Sequence, residues 1–102
     1  MGLAMLGDKL SAQQAQDWGL IWKCVPDEEF DTALEQLAQH FSKAPTKGLA
    51  FTKQAIQASL GNDLSTQLDL ERDMMRELGR SADYAEGVAA FLGKREPQFK
   101  GQ

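Results

Sequence analysis

The sequence is poor in the residues that most often carry out chemistry. Its 102 residues include one cysteine, Cys24, and one histidine, His40. A single thiol cannot form an internal disulfide, and Cys24 lies in the apolar run 20–25, which favours a buried, unreactive thiol. His40 has no second histidine or carboxylate at metal-ligand spacing beside it, which disfavours a zinc site or a catalytic triad. We therefore predict no catalytic residue and no metal site in this chain.

Long hydrophobic runs and blocks of basic residues are also missing. The apolar fraction of 42% and the charged fraction of 25% are ordinary for a soluble globular protein. A net charge of -4 disfavours nucleic acid and anionic membranes as partners. The apolar start, residues 1–6, is too short for a secretory signal and has no basic residues before it. We predict a cytoplasmic protein with no nucleic-acid or membrane partner.

Cap and stop signals in the first part of the chain predict short elements. Residues 1–6 have the pattern of a helix end, followed by Gly7 as a left-handed cap. Ser11 and Gln14 have the spacing of a capping box and should open a short helix. Residues 20–25 are β-prone, so the fold contains at most one short strand there. A single strand cannot form a sheet by itself.

From residue 27 onward the pattern is helical, which makes the predicted fold mainly α. A core-facing stripe repeats at three and four residues, formed by Phe30, Ala33, Leu34, Leu37, Ala38 and Phe41. Pro45 is placed to open the next helix, and Asp63 should cap the longest one, which runs to Leu78.

The helix after Asp63 carries two apolar stripes. One consists of Leu64, Leu68, Met75 and Leu78, and the other of Leu70 and Met74. A helix in water needs one apolar face, so two stripes predict two packing partners, one of them outside this chain. Glu71 interrupts the first stripe, and we interpret it as a buried structural ion pair with Arg80 or another subunit rather than as a catalytic carboxylate.

The segment 81–99 predicts a capped terminal helix. Ser81 is a good N-cap, Asp83 places negative charge in the first turn, and Lys94 with Arg95 places positive charge in the last, before Pro97 stops the helix. An apolar stripe is formed by Tyr84, Val88, Phe91 and Leu92. On this pattern Glu86, Lys94 and Arg95 stay available to solvent or to a ligand.

This segment has the residue order Ser-x-Asp-x-x-Glu-Gly-x-x-Ala-Phe-x-x-Lys-Arg-x-Pro-x-Phe. That order resembles the C-terminal end of the enoyl-CoA hydratase/isomerase (crotonase) family. Residues 6–26 resemble a second stretch of that family, in the right order, so the likeness covers essentially the whole chain. It implies the C-terminal helical region of the crotonase fold, used for trimerisation and as a lid. Residues 1–26 would end the core region, and residues 27–102 would form a helical assembly domain.

The resemblance also implies a cofactor and its contacts. The family binds coenzyme A as an acyl-CoA substrate without a metal, and its aromatic and lysine at the positions of Phe91 and Lys94 contact the adenine and phosphate end. A ring face and an ammonium one helical turn apart suit a nucleotide tail. The family's oxyanion hole and acid/base carboxylate belong to a spiral core that has no counterpart here. We therefore expect this chain alone to be inactive, and Met1 to mark either an artificial boundary or an internal start within a helix.

Three further expectations concern subfamily, assembly and an alternative. Residues 17–22, 66–72 and 79–84 look most like the ring-epoxide phenylacetyl-CoA isomerases of phenylacetate catabolism, and a general enoyl-CoA hydratase or isomerase is the close alternative. The parent would form a trimer or hexamer, and the chain alone would self-associate, for example by exchanging helices. The alternative from another class is a freestanding helical protein-interaction module with no enzymatic role.

Overall fold

The fold, seen in a computed structural model that describes residues 2–102, consists of helices joined by short turns. The α-helices are α1 (Gly2–Leu6), α2 (Ala12–Asp17), α3 (Phe30–Ser42), α4 (Thr46–Ser59), α5 (Leu64–Leu78) and α6 (Ala82–Leu92), with a 3-10 turn at Asp27–Glu29. No strand occurs within residues 2–102. The predicted mainly α fold is confirmed, while the part of the predicted first helix that falls on Met1 lies outside the described residues.

Two compact units divide the chain, Met1–Gln36 and Leu37–Gln102. The boundary between them falls inside α3. The division at residue 26 was drawn from the family resemblance rather than from compactness, and it stays a prediction.

In the first unit the predicted caps form. The Ser11 Oγ accepts from the Gln14 backbone N–H at 3.1 Å, and the Gln14 side chain accepts from the Ser11 N–H at 3.1 Å. Gly7 adopts φ +69°, the left-handed conformation expected of a glycine that ends a helix. Local sequence is therefore sufficient to delimit these short helices.

The short strand that the sequence allowed near residues 20–25 does not form. The segment is a series of bends and irregular backbone. A strand needs a neighbouring strand for its N–H groups, whereas here the Leu20 N–H donates to the Ala15 carbonyl at 2.8 Å. Farther along, the Cys24 N–H donates to the Gln16 side-chain Oε1 at 2.6 Å. These local acceptors replace the missing strand partner.

In the second unit, α4 and α5 pack against each other as a helical hairpin. The predicted cap at Asp63 is confirmed, since its Oδ1 accepts from the Thr66 N–H at 2.8 Å. Near the same end, the Gln67 Nε2 of α5 donates to the Ala55 carbonyl of α4 at 3.0 Å.

The two stripes of α5 have different environments. Leu70, Met74 and Leu78 are half-buried, whereas Leu64, Leu68 and Met75 are exposed. Leu78 thus belongs with the half-buried set, contrary to the prediction.

Glu71 is neither buried among residues 2–102 nor paired with Arg80, so that part of the prediction is wrong, whereas a pair with another subunit stays a prediction. Its side chain is exposed and accepts a hydrogen bond from the Gln67 Nε2 at 2.8 Å. A neutral amide one helical turn away on α5 is a nearer partner than a residue beyond the end of the helix.

Most apolar side chains of the described residues remain open to solvent. Among residues 2–102 only Ala90 and Asp83 are buried. The predicted core stripe of α3 is wrong for Phe30, Leu34 and Phe41, which are exposed, whereas Ala33 and Leu37 are half-buried. About half of the surface of each of the three exposed side chains is open to solvent. None of the described helices is both long enough and apolar enough to cross a membrane.

Candidate functional site

The terminal helix α6 begins as predicted but ends earlier. The Ser81 Oγ accepts from the Tyr84 N–H at 3.1 Å and confirms the N-cap. The last helical residue is Leu92, and Gly93 is the C-cap. Lys94 and Arg95 therefore lie beyond the helix, and the predictions that they occupy its last turn and that Pro97 stops it are wrong.

Lys94 reverses the chain at the end of α6, before Pro97 is reached. Its N–H donates to the Phe91 carbonyl at 3.2 Å, and the Arg95 N–H donates to the Ala90 carbonyl at 3.0 Å, which together make a Schellman motif. The position that glycine usually fills in this motif is Lys94, with φ +49°, the single non-glycine residue of positive φ among residues 2–102. A β-carbon in this conformation costs about 1–2 kcal/mol. Strain of this kind is often stored at functional sites.

After Lys94 the chain runs back along α6, and Glu86 holds it near the reversal. The Arg95 Nη1 and Nη2 donate to the Glu86 Oε1 and Oε2 at 2.6 Å and 2.9 Å. The Gln98 N–H also donates to the Glu86 Oε1, at 2.8 Å. Glu86 and Arg95 are thus engaged with each other rather than free for a ligand, although Arg95 stays exposed to solvent, as expected. We call residues 95–102 the return segment.

Asp83 holds the far end of the return segment. Its Oδ1 and Oδ2 accept from the N–H groups of Lys100 and Gly101 at 2.7 Å and 2.8 Å. The Asp83 N–H in turn donates to the Gln102 carbonyl at 2.9 Å. The residue is only 6% exposed, so the sequence-based view of Asp83 as a helix-dipole charge missed its main contacts. One sequence feature could have indicated these contacts: Asp83 and Glu86 are three residues apart, which places both carboxylates on one face of the helix.

An apolar groove of about 440 Å³ lies between α6 and the start of α4. Its lining includes Pro45, Gly48, Leu78, Tyr84, Val88, Phe91 and Phe99. The stripe predicted on α6 therefore lines an open groove rather than a closed core. The Lys47 ammonium, also on this groove, pairs with the Glu77 carboxylate at 2.8 Å.

Phe91 and Lys94, the two predicted coenzyme A contacts, lie together at the C-terminal end of α6. They are joined by the backbone hydrogen bond of the Schellman motif. Phe91 is 83% exposed and Lys94 is exposed as well. An aromatic face and an ammonium group are thus both open to solvent at one point of the surface.

His40 and Cys24 are not part of this site. The His40 ring packs edge-on against Phe41, with the ring centroids 5.5 Å apart. Across residues 2–102, no three or more histidine, cysteine, aspartate and glutamate side chains are grouped so that they could hold a metal ion.

The pH dependence of the return segment arises from the Glu86 contacts. Hydrogen bonds from Arg95, and then from the Gln98 N–H, lower the pKa of Glu86 from 4.5 to about 2. A lowered pKa means that the contribution of Glu86 to stability is complete above pH 4.5 and is lost as the pH falls toward about 2. Because Glu86 in the folded chain takes up its proton only near its lowered pKa of about 2, we expect the NMR signal of the Gln98 amide to move toward random-coil values at the acid end of this range.

The control for this titration is a pair of glutamine variants. Glu86→Gln should abolish the pH-dependent movement of the Gln98 signal, whereas Glu96→Gln, at an exposed neighbouring position, should retain it. An identical acid titration of Gln98 in the Glu86→Gln variant would show that another group causes it.

The fold and the site define a helical chain with exposed apolar faces and an exposed aromatic–lysine pair. The family profile described as enoyl-CoA hydratase/isomerase matches residues 1–102. The chain therefore belongs to the enoyl-CoA hydratase/isomerase family, which confirms the resemblance seen in its motifs.

Individual relatives agree with this assignment. The chain is 58% identical over 102 residues to the 1,2-epoxyphenylacetyl-CoA isomerase of Escherichia coli K12, a match to 100% of this chain and 39% of the relative. It is 37% identical over 101 residues to the 2,3-dehydroadipyl-CoA hydratase of the same organism, covering 98% of this chain and 39% of that relative. The crystal structure of an enoyl-CoA hydratase from Polaromonas sp. JS666 superposes with a TM-score of 0.82 at 38% identity, over 94% of this chain and 37% of that one. The chain thus spans about two fifths of the length of these relatives.

Proposed function

We propose that this chain is the C-terminal helical part of a coenzyme A thioester isomerase, of the kind that acts on ring-epoxide phenylacetyl-CoA. The sequence identities support this kind of enzyme, because the chain is 58% identical to the epoxyphenylacetyl-CoA isomerase but 37% identical to the dehydroadipyl-CoA hydratase over nearly the same residues. A general hydratase or isomerase of the family is the close alternative. The role of the chain is to supply assembly surfaces and to hold the nucleotide end of an acyl-CoA in the cytoplasm.

The observation that carries the binding role is the exposed pair of Phe91 and Lys94. An adenine ring can stack on an exposed aromatic face, and a lysine ammonium is a compact charge for a phosphate. Glycine would adopt the backbone conformation of Lys94 with less strain, so a lysine at this position favours a functional role for its side chain.

No residue of this chain is proposed as a catalyst. In α6, Asp83 is occupied by backbone N–H groups and Glu86 by Arg95 and Gln98, so neither is placed as a free general base.

We expect the Lys94→Asn variant to bind coenzyme A roughly tenfold more weakly than the unsubstituted chain, because one charge-assisted contact to phosphate is lost. Asparagine is chosen because it tolerates the left-handed conformation better than most residues. Isothermal titration calorimetry measures the affinity. Pantetheine, which lacks the nucleotide, should bind with no difference between the two proteins.

The matched control is Lys53→Asn, since Lys53 is an exposed lysine on α4. It removes the same charge and should leave coenzyme A affinity within about twofold, since screening by salt weakens distant surface charges. Equal losses in Lys94→Asn and Lys53→Asn would mean that net charge, not this site, attracts the ligand.

The same titration separates the proposed role from a freestanding interaction module. The exposed apolar faces of α3 and α5 are compatible with such a module. A chain that does not bind coenzyme A at all would favour the module, whereas binding that depends on Lys94 favours the coenzyme A role.

A further inference from the structure

We infer that Asp83 and Glu86 are positioning residues for Lys94. They hold the return segment 95–102 against α6, and the held segment keeps Lys94 in the left-handed conformation at the end of the helix. The consequence for coenzyme A rests on the proposed function, whereas the effect on the Lys94 backbone is independent of it.

Lys94 needs an external restraint to keep its backbone conformation. A lysine does not favour positive φ, and the two Schellman hydrogen bonds exist only while the chain turns back at this residue. If residues 95–102 were free, the chain could leave α6 in another direction and Lys94 could relax to negative φ. The restraint must therefore lie in the return segment.

Two carboxylates supply this restraint at opposite ends of the return segment. Glu86 binds the segment at Arg95 and at the Gln98 N–H, directly after the reversal. Asp83 binds it at Lys100 and Gly101, close to the last residue. The return segment therefore runs antiparallel to α6, with its first part at Glu86 and its last part at Asp83, nearer the start of the helix. It is held along its length.

The two anchors differ in strength. Asp83 is buried and uses both carboxylate oxygens on backbone N–H groups, contacts that an asparagine can satisfy on one oxygen only. Glu86 is reached by a two-pronged arginine contact near the surface, which water can partly replace. Asp83 is therefore expected to be the stronger anchor.

The consequence is a Lys94 that is oriented before a ligand arrives. With φ restrained, the lysine stem starts from a defined direction beside Phe91, and less conformational freedom is lost when its ammonium meets a phosphate. An open return segment would leave the charge in place but remove this preorganisation.

The test compares Asp83→Asn with the unsubstituted 102-residue chain. The first readout is spectroscopic: the HN–Hα coupling and the ¹³Cα shift of Lys94 should move away from left-handed values. The second is coenzyme A affinity, which should fall about threefold to tenfold through lost preorganisation. In a Lys94→Asn background, Asp83→Asn should cause little further loss, because it acts through Lys94.

Two other variants keep the test decisive. Glu86→Gln is expected to move the Lys94 signals in the same direction by a smaller amount, and it serves if Asp83→Asn disrupts α6, as circular dichroism would reveal. Asp69→Asn, which removes an exposed carboxylate paired with Arg72 on α5, should change neither readout.

Unchanged Lys94 signals in both the Asp83→Asn and the Glu86→Gln variants would overturn the inference. The inference would also be overturned if the affinity losses caused by Asp83→Asn and by Lys94→Asn were fully additive in the double variant. If the unsubstituted chain binds no coenzyme A, the proposed function fails, and the Lys94 signals still decide whether the two carboxylates position this residue.

Discussion

Replacement of both Leu68 and Met75 with glutamate is expected to suppress the self-association that we predict for this chain. These side chains are 57% and 71% exposed, and Leu64, in the same stripe of α5, is exposed as well. Burial of one such side chain contributes roughly 1.5–3 kcal/mol, so loss of two should weaken association by about a hundredfold or more. Glutamate adds a charge that is costly to bury in an apolar interface.

Sedimentation velocity at several concentrations measures this change. The control pair is Ser65→Glu with Gln57→Glu, which adds the same two charges at exposed polar positions of α5 and α4 and should leave the oligomer intact. A monomer for the unsubstituted chain at all concentrations would contradict the expectation that the uncovered stripe of α5 drives self-association.

Gly101→Ala is expected to release the end of the return segment. Gly101 has φ +76°, and a β-carbon at this position would lie 2.5 Å from the Thr46 Oγ1 at the start of α4. The left-handed backbone alone costs roughly 1–2 kcal/mol with a β-carbon, and the overlap adds to it. Because the residue lies beyond the last helix, the segment can detach without unfolding the helices, so the loss is limited to the free energy with which it docks. Amide hydrogen exchange at Lys100 and residue 101 should accelerate.

A double variant separates the two causes. Thr46→Ala removes the overlapping hydroxyl but leaves the backbone conformation, so Gly101→Ala with Thr46→Ala should recover only part of the protection. Gly48→Ala is the control, because φ is not positive there and a β-carbon would meet nothing within 4 Å. It should stabilise α4 by about 0.5–1 kcal/mol. Unchanged exchange in Gly101→Ala would show that the segment does not depend on this contact.

The starts of three helices could be predicted from the sequence. Ser11, Asp63 and Ser81 each cap the helix that begins after them, because the acceptor of an N-cap lies two or three residues from its donor. Such contacts depend on local order alone. Asp69 and Arg72 likewise form a local ion pair at 2.6 Å, because they lie three residues apart on α5.

The environment of the apolar stripes could not be predicted in the same way. A period of three and four residues identifies the apolar face of α3, yet Phe30, Leu34 and Phe41 are exposed. Periodicity shows which side chains share a face, whereas burial requires another element to lie on that face. On α3 that cover is incomplete, since about half of the surface of each of these side chains is open to solvent.

The same distinction applies to the candidate site. Phe91 and Lys94 were recognised from a family-like motif, and their coenzyme A role stays a prediction. The contacts of Asp83 with Lys100 and Gly101 join positions 17 and 18 apart, which no local pattern reveals. The left-handed Lys94 was also unexpected, because glycine is the usual residue at that point of a Schellman motif.

The sequence by itself determined the mainly α composition of the chain, its helix caps and its family motif. Each of these depends on residues that are close in the chain or on their order. Only the tertiary structure decided that residues 95–102 return along α6, that Asp83 is buried beneath them and that Glu86 is engaged by Arg95. The physical reason is that hydrogen bonds between distant residues, and the strain accepted at Lys94, exist only after the chain has folded back on itself.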